Sequence, residues 1–222
     1  MSPLTAFIIP FIAFMLLLGI SQGVHALGTH SFWLQEPKYW IYPVQTFVCA
    51  GLLARGWRYY ELRRPKGVTF TIFIALLVLV LWISPQAFFH APPRSEGFDP
   101  FVFHPGSAIY WMSLSLRFIR LAVIVPLLEE IFWRGFLLRY LIKEDFLSVP
   151  FGSFSWLSFA GVSICFGLEH SGADFFPAVA AGALYNVVAI RTRSLSSCVL
   201  AHAITNLLLG VYICCTKQWG FW

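Results

Sequence analysis

Seven stretches of this chain are each apolar over about the ~20 residues that a helix needs to cross bilayer hydrocarbon, and no other feature narrows the possible folds so far. They cover residues 4–20, 39–54, 68–84, 107–142, 154–170, 174–191 and 195–214. Charged residues make up only 11% of the 222 and hydrophobic ones 59%; that charge is less than half the ~25% of a soluble domain. A soluble chain of this length leaves roughly a third of its surface wet and has too little polar surface to do so, whereas a bilayer covers what the core cannot. The fold expected is all-α: a polytopic transmembrane helical bundle of about seven (six to eight) spans, forming one integral membrane domain over 1–222.

Individual segments carry further constraints. The first, Leu4 to Ile20, is followed by Val24-His25-Ala26, which has the look of a small-x-small cleavage site. No lysine or arginine precedes the run, and the run is longer than a signal core, so an uncleaved first transmembrane helix is expected. The fourth stretch is too long for one crossing, since as a straight helix it extends about 50 Å against a core of about 30 Å. Pro126 is expected to kink it, with the part around Arg117 and Arg120 at an interface. The loop 85–106, rich in proline and aromatics, reads as an ordered extracytoplasmic cap.

Charge at the segment ends sets the expected topology. Arg55, Arg58, Arg63, Arg64 and Lys66 lie between the second and third spans, Arg139 and Lys143 after the fourth, and Arg191 and Arg193 after the sixth. The alternate loops hold only Lys38 and Arg94, with Lys217 at the C-terminal end. The positive-inside rule then puts the N-terminus in the cytoplasm and the C-terminus outside a cell membrane. A formal net charge of +5 distributed in this way reads as topology control, and no nucleic-acid partner is expected. Cys49, Cys165, Cys198, Cys214 and Cys215 fall in apolar runs without CxxC or metal-type spacing, and are expected to be small buried hydrophobes.

Ionisable groups inside apolar spans are costly and mark function by default. Glu129 and Glu130 stand side by side in Pro126-Leu-Leu-Glu-Glu-Ile-Phe-Trp-Arg134-Gly135. Glu130 and Arg134 share a helix face at i, i+4 and can pair, while Glu129 is turned about 100° away and is left for chemistry. The plainer alternative is that both glutamates bind arginines such as Arg134 and Arg120 as interhelical glue. His170 closes the fifth stretch in Phe166-Gly-Leu-Glu-His, and His202 and Asn206 lie one helical turn apart in the last; interfacial placement and interhelical hydrogen bonding are the plain readings of these. Taken together, a carboxylate, two imidazoles and an amide form a minimal set for hydrolysing an amide with water. Glutamate can take the proton and a histidine can hold the water, while the second histidine and the asparagine can donate to the oxyanion.

In this order the three motifs resemble the CPBP family, the type II CAAX prenyl endoproteases and the bacteriocin-processing (Abi) proteins. The family pattern EExxxR, FxxxH and HxxxN or HxxxD stands here as Glu129-Glu130-Ile-Phe-Trp-Arg134, Phe166-Gly-Leu-Glu-His170 and His202-Ala-Ile-Thr-Asn206. Gly182-Ala-Leu-Tyr185 and Thr192-Arg-Ser-Leu195 resemble the segment before the last motif, so the likeness covers about 107–210, the expected catalytic core. The resemblance implies an intramembrane endopeptidase in which Glu129 activates water and His170 positions it. It further implies that His202 and Asn206 stabilise the oxyanion, that Glu130 and Arg134 support them, and that no cofactor is needed. Two histidines and a glutamate could also hold zinc, which gives a zinc-dependent metalloprotease as the second reading. A non-enzymatic immunity or scaffold protein is the third. The chain is also similar to short bacterial CAAX-protease-related proteins accompanying exosortase systems, which implies a bacterial inner membrane and a membrane-associated peptide or protein substrate. Straight helices would keep His170 and His202 apart, unless Gly167, Gly172 and Pro177 let the fifth helix stop early inside a water-lined cavity.

Overall fold

Each of the seven apolar stretches is a helix in the computed structural model, which describes residues 1–27, 31–170 and 172–222. They are α1 (Pro3–Ala26), α2 (Lys38–Gly56), α3 (Val68–Ala87), α4 (Ala108–Tyr140), α5 (Trp156–Glu169), α6 (Phe175–Thr192) and α7 (Leu195–Thr216). Serines begin three of them by accepting a backbone N–H of the first turn: Ser2 from Thr5, Ser107 from Tyr110 and Ser155 from Ser158. Such caps satisfy donors that a helix leaves open at its start. Helix α6 ends on Arg193 in the left-handed region (φ 49°), and the following residues lead directly into α7. Among the described residues there is no β-strand.

Five helices, α1, α3, α4, α6 and α7, are long and apolar enough to cross a membrane. Their outward faces are as apolar as their inward ones. On α1, Phe7, Phe11 and Phe14 are buried, while Ile9, Ile12, Leu16 and Ile20 are exposed. Helices α3 and α4 likewise expose Phe73, Leu76, Trp111 and Met112. A helix that is hydrophobic all round and only half covered by protein needs an apolar solvent on its other side.

Helix α4 runs unbroken for 33 residues, and it does so by changing register. Two stretches, Arg120–Ile124 and Ile131–Leu137, adopt the wider i→i+5 pattern. The first precedes Pro126, whose missing N–H and ring disrupt bonding to the carbonyl four residues back; the wider turn absorbs that fault without a break. The portion around Arg117 and Arg120, expected at an interface, is covered by protein. Both arginines are buried, because aromatic rings and an amide shield them: Arg120 Nε donates to Gln45 Oε1 at 2.8 Å, and its guanidinium lies over the rings of Phe14 and Tyr42. Of the cysteines, Cys49 and Cys198 are buried, whereas Cys165 and Cys215 face outward and Cys214 lies between, because an outward face in lipid tolerates a small apolar side chain equally well.

The chain forms two compact units. One comprises residues 1–59, 94–128 and 210–222; the other comprises 60–93 and 129–209. In the first, α1 packs along α2, where Gln45 donates to the Phe14 carbonyl at 2.6 Å, and the Tyr39 hydroxyl donates to the Asp99 carbonyl at 2.8 Å. The turn Trp219–Phe221 lies on the 94–97 segment, with the Gly220 N–H donating to the Arg94 carbonyl at 2.9 Å. A side chain at Gly97 would fall 2.0 Å from the Trp219 carbonyl oxygen, so only glycine permits that approach.

In the second unit α5 lies against α6, and α6 against α3. With 14 residues, α5 is about 21 Å long, short of the ~30 Å hydrocarbon core. It stops at Glu169, and His170 follows in extended conformation. Gly182 of α6 sits close to α5: an added Cβ would lie 3.1–3.2 Å from Phe166 Cβ and the Ser163 backbone. Overpacking of this kind costs about 1–3 kcal/mol. Gly182→Val is therefore expected to lower the melting temperature in detergent by several degrees, while Gly23→Val, with nothing within 4 Å of its Cβ position, leaves it unchanged. Equal melting of the two variants would contradict a tight α5–α6 contact.

Candidate active site

The second wide-turn stretch of α4 carries Arg134, and the second unit closes around this residue. Arg134 is wholly buried, so each of its donors needs an acceptor. Nη1 donates to Glu130 Oε1 at 3.0 Å, Nε to Asn186 Oδ1 at 3.1 Å and Nη2 to the Gly182 carbonyl at 2.9 Å. The faces of Phe166 and Tyr185 lie 5.0 and 5.4 Å from its guanidinium carbon. Asn186 in turn donates to the Phe159 carbonyl and to Ser163 Oγ, both at 3.2 Å. One guanidinium thereby connects α4 and α6, with Asn186 extending the linkage to α5.

Glu130, also wholly buried, is shared. Its Oε1 accepts from Arg134 and lies 2.9 Å from His202 Nδ1. A carboxylate paired with arginine only accepts, so this contact puts the imidazole proton on Nδ1 and turns Nε2 toward Glu129, whose Oε2 is 4.0 Å away. That separation is longer than a hydrogen bond. The ring of His202 also stacks on Tyr185, with centroids 5.1 Å apart and planes 23° from parallel. Glu129 is buried as well, so both adjacent glutamates approach the same imidazole, one at hydrogen-bond distance and one just beyond it.

His170 meets the cluster through an aromatic side chain. Its Nδ1 lies 2.9 Å from the Phe166 carbonyl; since a carbonyl only accepts, Nδ1 carries the proton and Nε2 keeps its lone pair. The Phe166 ring is 5.1 Å from His170 and 6.3 Å from His202, and the Trp82 ring of α3 meets His170 edge-on at 5.3 Å. Asn206 stands one turn beyond His202 on α7 and is partly buried. The structure thus brings Glu129, Glu130, Arg134 and His202 into direct proximity. Phe166 relates His170 to His202, and Asn206 continues the α7 face that carries His202.

Sequence reasoning passed over Asn186, Tyr185, Trp133 and Glu169 as site residues. Asn186 was detectable by the argument that found Asn206, an amide within an apolar helix. Tyr185 looked like an ordinary core aromatic. Trp133 Nε1 donates to Glu169 Oε2 at 3.2 Å, a pairing between residues 36 apart that no local spacing announces. Among the described residues, no three His, Cys, Asp or Glu side chains are grouped so as to hold a metal ion.

Removing one member of a buried ion pair costs about 3–5 kcal/mol. Glu130→Gln is thus expected to lower the melting temperature in detergent markedly, and Glu129→Gln much less. Indistinguishable melting of wild type and both variants would show that Glu130 is not the structural member of the pair.

A family model described as Type II CAAX prenyl endopeptidase Rce1-like matches residues 110–208. No curated protein and no solved structure matches the chain. The matched segment begins in α4 and ends in α7, and it contains Glu129, Glu130, Arg134, His170, His202 and Asn206. With five helices able to cross a membrane, this is a multi-pass membrane protein. Residues 110–208 are thus similar to the Rce1-like type II CAAX prenyl endopeptidases, a family of proteases.

Proposed function

We propose that the chain is an intramembrane endopeptidase that hydrolyses a peptide bond in a membrane-associated peptide or protein by means of a glutamate-activated water. The observation that supports this reading is that both adjacent glutamates close on His202 from opposite nitrogens: Glu130 Oε1 lies 3.0 Å from Arg134 and 2.9 Å from His202 Nδ1, and Glu129 Oε2 lies 4.0 Å from His202 Nε2. In the proposed reaction Glu129 takes a proton from water. The Nε2 lone pair of His170 accepts the second water hydrogen and orients the oxygen toward the substrate carbonyl. As the C–O bond forms, negative charge collects on the carbonyl oxygen, where His202 Nε2–H and the Asn206 amide donate. Donation from Nε2 while Nδ1–H is held by Glu130 requires a proton on both ring nitrogens in this step. The tetrahedral intermediate then collapses, the C–N bond breaks, and Glu129 returns its proton to the leaving amine.

We assign the protein to a bacterial inner membrane with its N-terminus in the cytoplasm, on the arginine-rich 55–66 segment and the other basic residues at alternate segment ends. The five cysteines take no part in the proposed chemistry, since they lie in apolar segments, where a thiolate is disfavoured. The test is cleavage of membrane-anchored peptide substrates by purified protein. Glu129→Gln is expected to abolish turnover, at least about 10³-fold for loss of the base with its charge, with the variant still folded. A variant lacking all five cysteines and a chelator-treated sample are both expected to retain activity. Activity lost on chelation and regained with zinc would reassign Glu129 and the histidines as ligands. Full activity in Glu129→Gln would refute the assignment of the base.

A further inference from the structure

His170 follows the last residue of α5, and the hydrogen bonds that hold it run back into the last turn of that helix. Its backbone N–H donates to the Gly167 carbonyl at 3.0 Å, and its Nδ1–H to the Phe166 carbonyl at 2.9 Å. The imidazole is therefore placed no more firmly than residues 166–169 are. Terminal turns are the part of a helix most given to fraying, and α5 has only 14 residues. A group that orients one water molecule needs a firmer mount, since a displacement of about 1 Å can cost about 10²-fold in rate.

That mount comes from α4. Trp133 is 5% exposed and meets the last turn of α5 at both of its ends. Its ring packs edge-on to Phe166, with centroids 5.9 Å apart and planes at 71°, and its Nε1–H donates to Glu169 Oε2 at 3.2 Å. Phe166 and Glu169, three residues apart, lie on one helix face, so the indole spans the turn whose carbonyls hold His170. Trp133 itself stands four residues after Glu129, about one turn further along α4. One indole thus links the helix of the proposed base to the turn that carries the second histidine. Glu169 is set there against two penalties: a carboxylate at a helix C-terminus opposes the helix dipole, and an ionisable group in an apolar segment is costly. Packing alone would be served better by an apolar residue, whereas an indole N–H calls for an acceptor.

We propose that Trp133 and Glu169 are positioning residues for the hydrolysis. Their hydrogen bond clamps the last turn of α5 against α4. Through the Phe166 and Gly167 carbonyls the clamp holds the His170 imidazole with Nδ1 protonated and Nε2 open to water. This rests on the assignment of His170 as the group that orients the water. The clamp needs an acceptor at residue 169 and not a charge, so glutamine serves there and leucine does not.

The test is magic-angle-spinning NMR of the full chain in liposomes with 15N-labelled histidine and tryptophan, beside kinetics on a palmitoylated, internally quenched peptide. Wild type and Glu169→Gln are expected to show His170 in the Nδ1–H tautomer alone. Glu169→Leu and Trp133→Phe are expected to show a mixture of tautomers, with the His202 signals unmoved. In turnover these two variants are expected to lose about 10–100-fold in kcat with KM within about twofold, and Glu169→Gln less than about threefold in kcat. The double variant Trp133→Phe/Glu169→Leu is expected to fall no lower than either single one, since both remove the same bond. Should Glu169→Leu fail to fold, Trp133→Phe, which keeps a ring beside Phe166, decides by the same signals. Unchanged His170 signals on loss of either partner would overturn the clamp, as would additive losses in the double variant or a Glu169→Gln protein that behaves like Glu169→Leu. The His170 signals decide the clamp even if the peptide is not cleaved. A tautomer mixture with kcat undiminished would uphold the clamp and refute instead the reading of His170 as the group that orients the water.

Discussion

The buried pair of Glu130 and Arg134 is the constraint on which the second unit depends. Neither charge has access to water, so their mutual attraction must be supplemented until every donor is satisfied. Arginine has five N–H donors in a fixed plane, and the helices around it meet that demand at set positions. Asn186 and the Gly182 carbonyl come from α6, and Glu130 from the turn before. Because Asn186 binds both Arg134 and the α5 backbone, the crossing of α5 and α6 is tied to the ion pair. Gly182 serves twice, as acceptor for the guanidinium and as the point of close approach to α5.

The same pair sets the chemistry of His202. Had Glu130 only to balance Arg134, the imidazole would be free to choose its tautomer. Sharing Oε1 fixes the proton on Nδ1, and stacking on Tyr185 fixes the plane of the ring. Orientation of a histidine by a carboxylate on its rear nitrogen is a recurring device for presenting the other nitrogen in a defined state. Two glutamates adjacent in sequence therefore diverge in role through geometry alone, one facing the guanidinium and the other facing the opposite side of the imidazole.

Much of this was legible in the linear chain, for a physical reason. Hydrocarbon length sets a residue count, so α1 through α7 could be located from their apolar runs, and the i, i+4 spacing of Glu130 and Arg134 foretold their ion pair. What escaped were features created by packing between distant segments. The wide turns of α4 depend on how Pro126 is accommodated within a continuous helix, which no local spacing announces. The enclosure of Arg117 also escaped: the rings around it come from residues 42, 98 and 222, none of them close by in sequence. Asn186 and Tyr185 were overlooked because their significance lies in the charge beside them, and that charge belongs to another helix.

The enclosure of Arg117 also bears on how the protein is made. Tyr42 emerges first, then Phe98, and Arg117 follows about twenty residues later, but the last ring of the cage belongs to Trp222. Helices α5, α6 and α7 must all be synthesised before it arrives. During that interval the guanidinium has only part of its shielding, as does the 94–97 segment on which the Trp219–Phe221 turn later settles. The enclosure of Arg117 is therefore complete only once the C-terminal turn has packed in place.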